Sequence, residues 1–381
     1  MYNFVFGVGF FANQVVDKLM KFGVRVDGML KLKEFYMPIF IEPNQCVNTY
    51  CVEDLKKLDP NLTNVIIAQK PIIMGDTISY LKNRGFKNVF IVDEEMQRVN
   101  IHTLKEFNCY LYPVNMEKPF LNYLEMNIVD NCNLNCKGCA HFSNIFDNGY
   151  VSLDSFTRDL IMLSSKFELY YFRLLGGEPL LHLNIIELVK IARKILKNTK
   201  IIIVTNGLLI NKLNNDVLKA FAENNITICI SVYKPTLNIL DNIISKLEYF
   251  GINYILNDDY MASKKSIESF STRLTASQNN NAFESSRKCL GRFCRFLRDG
   301  KISKCYYPLL IDVLNRKMGT NFVLSAEDYV EIKNITDGWL AIEQLSKPIP
   351  FCNYCSEDEF EFNWEGYHKN DLDVYQYILK K

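Results

Sequence analysis

The 381-residue sequence has no run of about 18 apolar residues, so no membrane-spanning helix is expected. It has no excess of either charge. Its 44 Lys and Arg stand against 43 Asp and Glu, a net charge of +1, so nothing points to nucleic acid or to an anionic membrane. The opening stretch, MYNFVFGVGFFANQVVDKL, lacks a basic start and a small-residue cleavage site, and Asn3, Asn13 and Asp17 interrupt it. No signal peptide is expected, which leaves the cytoplasm as the expected compartment. No short-period repeat is visible. The length allows two or three domains, and 48% hydrophobic residues are ordinary for a globular chain.

Cysteine, in contrast, is plentiful: there are 12. In a reducing compartment, clustered cysteines read as metal ligands before disulfides. Cys46, Cys51, Cys109 and Cys229 are scattered and read as small buried hydrophobes. The other eight form three groups: Cys132, Cys136 and Cys139; Cys289, Cys294 and Cys305; Cys352 and Cys355.

The chain reads as α/β in three parts. Residues 1–115 alternate strands and helices, which predicts a doubly wound parallel sheet. Gly7, Gly9 and Ala12 give G-x-G-x-x-A between the first strand and a helix, the context of a phosphate-cradling turn. The second strand ends in MLKLKE, with Lys31 where a dinucleotide site wants an acid, and Asp27 lies within the strand. A turn that only packs helix on sheet is therefore the favoured reading, with a nucleotide site as the alternative.

Residues 116–262 carry a longer β/α series. Strands are expected at LEMNIVD, LYYFRLLGGEP, KIIIVTNG, ITICISVYKP and INYILND, with helices between them, one of them capped by Ser152. Five or six units are too few for a closed eight-stranded barrel, so a partial (β/α)6 barrel is expected. Residues 263–381 form a smaller, cysteine-bearing and aromatic cap, and the polar stretch 262–288 reads as a linker or loop.

The first cysteine group, C-x3-C-x2-C, falls in the loop after the first strand of that series. A closed cubane takes four thiolates, and three leave one iron open to substrate or cofactor. A zinc site completed by His141 is the competing reading.

This spacing, with GGEP ending the second strand, TNG the third and SVY the fourth, resembles the radical S-adenosylmethionine superfamily. The resemblance covers roughly residues 122–260. It implies that Cys132, Cys136 and Cys139 hold a [4Fe–4S] cluster whose fourth iron is chelated by the methionine end of S-adenosylmethionine. One electron then cleaves the sulfonium and yields a 5′-deoxyadenosyl radical. It also implies that Gly176, Gly177, Glu178 and Pro179 receive the methionine amino group, with Thr205, Asn206 and Ser231 at the next strand ends. A flavodoxin- or ferredoxin-type electron donor is implied as partner. The family often has an aromatic just before the third cysteine. Gly138 stands there, so His141 or Phe142 is the expected adenine contact.

Downstream, C-x10-G-x4-C (Cys289, Gly300, Cys305) followed by Cys352 and Cys355 resembles the twitch form of the SPASM accessory domain. That resemblance implies a hairpin at Asp299-Gly300 and an auxiliary [4Fe–4S] cluster on Cys289, Cys305, Cys352 and Cys355. Four thiolates suit zinc as well. Cys294 is left over: a packing residue, a replacement ligand, or a hydrogen-atom donor to a substrate radical.

The combined expectation is an enzyme that abstracts hydrogen from a small molecule, a sugar or sugar nucleotide, and oxidises or epimerises it. No nucleic acid or membrane partner is expected. A peptide maturase and a non-enzymatic iron–sulfur or zinc redox protein are the alternatives.

Overall fold

The structure, a computed structural model, describes residues 1–7, 10–21, 23–31, 47–51, 54, 57–69, 71–92, 111–289, 294–366 and 373–379. The chain divides into two compact units, Met1–Asn122 and Tyr123–Lys381.

The first unit holds one sheet of β1 (Tyr2–Phe6), β2 (Gly28–Lys31), β3 (Thr49–Cys51), β4 (Thr63–Ile67), β5 (Asn88–Val92) and β6 (Leu111–Pro113). Their order is β3-β2-β1-β4-β5-β6, with the first five parallel and β6 antiparallel. Val5, Met29 and Ile66 of the central strands pack with Val15, Val16 and Leu19 of helix α1 (Phe10–Lys21). Those helix residues fall at i, i+1 and i+4, one buried stripe. Helix α2 (Pro71–Lys82) joins β4 to β5. Gly9, Cys46 and Cys109 lie outside the described residues. Gly7 has a packing reason of its own: at φ +135°, a Cβ there would stand 2.7 Å from Ala68 O and 3.1 Å from the Ala12 Cβ.

The second unit is built on an eight-stranded sheet. Strands β7 (Phe120–Val129), β8 (Glu168–Gly176), β9 (Lys200–Thr205), β10 (Ile226–Ile230) and β11 (Tyr254–Leu256) follow one another in space as in sequence. They alternate with α3 (Leu153–Lys166), α4 (Ile185–Ile195), α5 (Asn215–Glu223), and a short α6 (Lys234–Leu237) before α7 (Leu240–Tyr249). Every residue of β7 is buried, as in a strand covered on both faces. Ser152 caps α3 as expected, its Oγ accepting from Ser155 N–H at 3.2 Å. Burial of Ile185, Leu188, Val189 and Ala192 gives α4 its inward stripe.

The rest of this unit corrects two expectations. The β/α series runs to five consecutive strands, the lower of the five or six units expected, and β12 (Ser269–Leu274) turns away to pair antiparallel with β16 (Cys355–Asn363). The stretch 262–288 is thus no linker. Its SFSTRL alternates as a half-buried strand does, and it also contains α8 (Asp258–Ser263) in part and α9 (Ala282–Lys288) whole. Residues 263–381 are not set apart from the series. Strand β13 (Phe296–Arg298) pairs in parallel with β7, and β14 (Lys301–Ser303) and β15 (Tyr329–Glu331) extend the same sheet. The hairpin at Asp299-Gly300 is present. Both residues have positive φ, +50° and +70°, as a two-residue type I′ turn demands, and Gly300 N–H donates to Asp159 Oδ2 of α3 at 3.0 Å. Among the described residues no helix is long and apolar enough to cross a membrane.

Candidate active site

The first three cysteines follow the C-terminal end of β7, and the end of β8 is locked onto the chain that feeds them. Gly177 N–H donates to Val129 O at 2.8 Å, and Glu178 N–H to Asn131 O at 3.0 Å. A Cβ on Gly176 would come within 2.0 Å of Val129 O, and one on Gly177 within 1.9 Å of Asn131 O. Glycine is therefore a steric requirement of this approach. Gly177→Ala is expected to displace the backbone leading to Cys132 and to lower both the Tm and the iron bound per chain relative to wild type.

Glu178 is fully buried, and its carboxylate binds the protein itself. Oε1 accepts from Leu180 N–H (3.0 Å) and from the Thr205 hydroxyl (2.7 Å), and Oε2 from Asn206 N–H (3.0 Å). The GGEP turn is thereby tied to the TNG turn. Glu178 is not among the residues that line the cavity described below, and these three hydrogen bonds give it a bracing role. Burial pushes its carboxyl up from 4.5 to about 7, against the three hydrogen bonds. A carboxyl raised in the folded state binds its proton more tightly there than in the unfolded chain. Its contribution to the stability of the apo-protein is therefore largest in acid and falls as pH rises from 4.5 through about 7. Urea unfolding of apo-protein across that window is expected to show the decline, and Glu178→Gln to flatten it.

Asn206 connects the turns to the cysteine loop: its Nδ2 donates to Asn133 Oδ1 at 2.8 Å and lies 3.7 Å from Cys132 Sγ. Cys132 Sγ also meets Leu134 N–H at 3.4 Å and Asn133 Oδ1 at 3.8 Å. Cys136 Sγ accepts from the indole Nε1–H of Trp364 at 3.1 Å. Burial pushes the Cys132 thiol up to about 11 and the Cys136 thiol up to about 12. Buried sulfurs met by N–H donors are what a thiolate-bound cluster requires.

One cavity of about 920 Å³ gathers most of the expected site. Cys132, Cys136 and Cys139 line it, with Gly176, Gly177, Thr205, Asn206 and Ser231 from the strand ends. Cys289, at the end of α9, Cys305, just after β14, Cys352 and Cys355 line the same cavity. The Cys305 and Cys355 thiols are pushed up first by burial and then by the neighbouring thiols of their own set. Buried thiols crowded this way are poor company for one another as bare ionised groups and well suited to a shared metal centre.

The zinc readings need donors about 2.3 Å from a single ion. Among the described residues no group of three or more His, Cys, Asp or Glu side chains stands close enough for that. A cubane asks for wider spacing, since each thiolate binds a different iron. His141 is engaged by Asn127 Oδ1 through Nδ1 at 3.0 Å and stacks on Tyr306 with centroids 4.7 Å apart.

Besides Glu178, three expected residues do not line the cavity. Phe142 is buried against Tyr307 and Tyr377 in the core of this unit, so it is not placed as an adenine contact. Pro179 is buried at the head of a short 3-10 turn. Cys294 is half-buried near Glu125, Arg173 and Cys289, and burial raises its thiol.

Other residues were missed. Tyr233, two positions after Ser231, lines the cavity and packs on Trp364 with centroids 5.5 Å apart. A side chain at Gly138 (φ +64°) would collide with the Phe362 ring at 2.5 Å, so an aromatic from the distant strand β16 occupies the space beside the third cysteine. The alternation Phe360, Phe362, Trp364 was the available signal, since i, i+2 and i+4 share one face of a strand.

Residues 126–247 match the sequence model of the Radical SAM superfamily. The GTP 3′,8-cyclase of Clostridium perfringens (strain SM101 / Type A) is 32% identical over 107 residues, 27% of this chain and 32% of that enzyme. That of Syntrophomonas wolfei is 30% identical over 118 residues, 30% of this chain and 36% of that enzyme. The chain thus spans about a third of the length of the curated relatives it matches. Among solved structures, BtrN in complex with AdoMet and 2-DOIA has a TM-score of 0.38 at 17% identity, covering 62% of this chain and 93% of that one. Streptococcus suis SuiB has a TM-score of 0.30 at 21% identity, covering 36% and 33%. Likenesses of that size carry no weight for the reaction.

The match over residues 126–247 is to a superfamily that uses a [4Fe–4S] cluster and S-adenosylmethionine.

Proposed function

We propose that this domain is the catalytic core of an enzyme that takes a hydrogen atom from a carbohydrate-like small molecule and oxidises an alcohol to a ketone. The observation that carries the reading is the single cavity lined by both thiol sets and by three strand ends. Cys132, Cys136 and Cys139 would hold the first [4Fe–4S] cluster. Bound with S-adenosylmethionine, it supplies a 5′-deoxyadenosyl radical able to attack an unactivated C–H. Cys289, Cys305, Cys352 and Cys355 would hold an auxiliary [4Fe–4S] cluster, whose chemistry is to accept an electron. Gly176, Gly177, Thr205, Asn206 and Ser231 would cradle the cofactor.

Oxidation is preferred over epimerisation because Cys294, the candidate hydrogen donor, does not line the cavity, whereas four other thiols of the cap do. A polar wall of Ser269, Ser271, Arg273, Glu359 and Glu361 suits a hydroxyl-rich substrate. The cyclase relatives are matched over about a third of their own length and lend no support for their own reaction here. The parallel sheet of the first unit has the strand order of a Rossmann-like module, which speaks against a peptide-clasping segment and hence against a maturase. A flavodoxin or ferredoxin is the proposed reductant.

The direct test is deuterium transfer from labelled candidates into 5′-deoxyadenosine. Transfer from a sugar or sugar nucleotide is expected. Transfer only from a peptide or from GTP would replace this reading. Removal of residues 1–115 is expected to spare reductive cleavage of S-adenosylmethionine. Loss of cleavage in a soluble, cluster-loaded truncation would show that the first unit belongs to the catalytic machinery.

A further inference from the structure

The cysteine loop is gripped by a segment more than 200 residues downstream. Cys136 forms an isolated antiparallel bridge with Gly366, and Lys137 N–H donates to Glu365 O at 2.9 Å. The Lys137 ammonium pairs with the Glu365 carboxylate at 3.3 Å. Phe362 fills the space beside Gly138. Between these contacts Trp364 points its only polar atom, Nε1–H, at Cys136 Sγ, 3.1 Å away. Its ring is steadied by Tyr233, whose own ring meets Phe270 edge-on with centroids 6.2 Å apart.

We propose that Trp364 is a positioning residue that sets the reduction potential of the cluster held by Cys132, Cys136 and Cys139. The inference rests on the cluster assignment above. An N–H donor to a ligating sulfur withdraws electron density from it and stabilises the more negative, reduced cluster. The donor here is an uncharged indole held by backbone and aromatic contacts on both sides. It keeps its aim without bringing a titratable group to the cluster, and the segment just after β16 thereby acts on the electronics of a site it does not ligate.

The test is a redox titration of anaerobically reconstituted full-length protein. It follows the reduced-cluster EPR signal that changes on adding S-adenosylmethionine, which distinguishes this cluster from the auxiliary one. Trp364→Phe keeps a ring against Tyr233 and removes the N–H. Its midpoint is expected to move to more negative potential, so that a smaller fraction is reduced at a fixed solution potential. Trp364→His restores a ring N–H and is expected to recover part of the shift. A Trp364→Phe protein with wild-type iron and a wild-type midpoint overturns the inference and leaves the cluster assignment standing. A wild type with no such EPR signal overturns the assignment, and the inference with it.

If Trp364→Phe does not load iron, fluorescence decides. The chain has two tryptophans, Trp339 and Trp364. In Trp339→Phe protein the remaining emission comes from Trp364. It is expected to be lost when the cluster is loaded, but not when Cys132, Cys136 and Cys139 are all alanine. Emission that loading leaves unchanged overturns the inference.

Discussion

Replacing Cys132, Cys136 and Cys139 together with alanine is expected to abolish 5′-deoxyadenosine formation, leaving no reductive cleavage above background. Wild type is expected to carry about eight irons per chain, as two cubanes, and the triple variant about four. The expected loss is complete because the three thiols share one loop and line one cavity with the strand-end glycines that would cradle the cofactor. Iron analysis and product chromatography on the same preparation check both numbers. A triple variant that still makes 5′-deoxyadenosine would refute the site assignment, and stoichiometric zinc in the wild type would refute the auxiliary cluster.

The second large effect belongs to the auxiliary set. Cys305→Ala combined with Cys352→Ala is expected to remove about four irons and to stop substrate oxidation, while cleavage of S-adenosylmethionine continues. Hydrogen would still leave the substrate carbon, but the resulting radical would lack its electron acceptor. Cys294→Ala is the companion experiment. It is expected to keep wild-type iron and wild-type oxidation, because Cys294 lies off the cavity wall among Glu125 and Arg173. A Cys294→Ala protein that abstracts hydrogen but loses solvent deuterium from its product would instead establish epimerisation. Loss of auxiliary iron would make Cys294 a ligand.

Much of the site could be read from local sequence, for a physical reason. The strand ends announce themselves, since buried runs such as KIIIVT stop at turn residues. The Gly176-Gly177 pair likewise marks a backbone approach that tolerates no Cβ. The Asp299-Gly300 hairpin was readable because its two positive φ values restrict composition within two residues. Pairing between distant segments was not readable. SFSTRL looks like polar linker until β16 arrives to pair with it, and nothing near Gly138 says that Phe362 will fill its missing side chain. Glu178 was recognised as important, but its three donors come from folded turns, so its bracing role needed coordinates. The direction of Phe142 was not readable, because closeness to Cys139 in sequence says little about where a ring points. At φ +57° the backbone turns, and the ring faces the core.

The grip of Trp364, Glu365 and Gly366 on the cysteine loop has a consequence during synthesis. Cys136 leaves the ribosome 228 residues before Trp364. At ordinary rates of translation that is a delay of about 10–45 s. Throughout it the three thiols of the nascent chain lack the strand that covers them. They are exposed to oxidation and to stray metal ions, so iron delivered co-translationally would enter a half-built cradle. Delivery after release of the finished chain would find the cradle closed around Cys136.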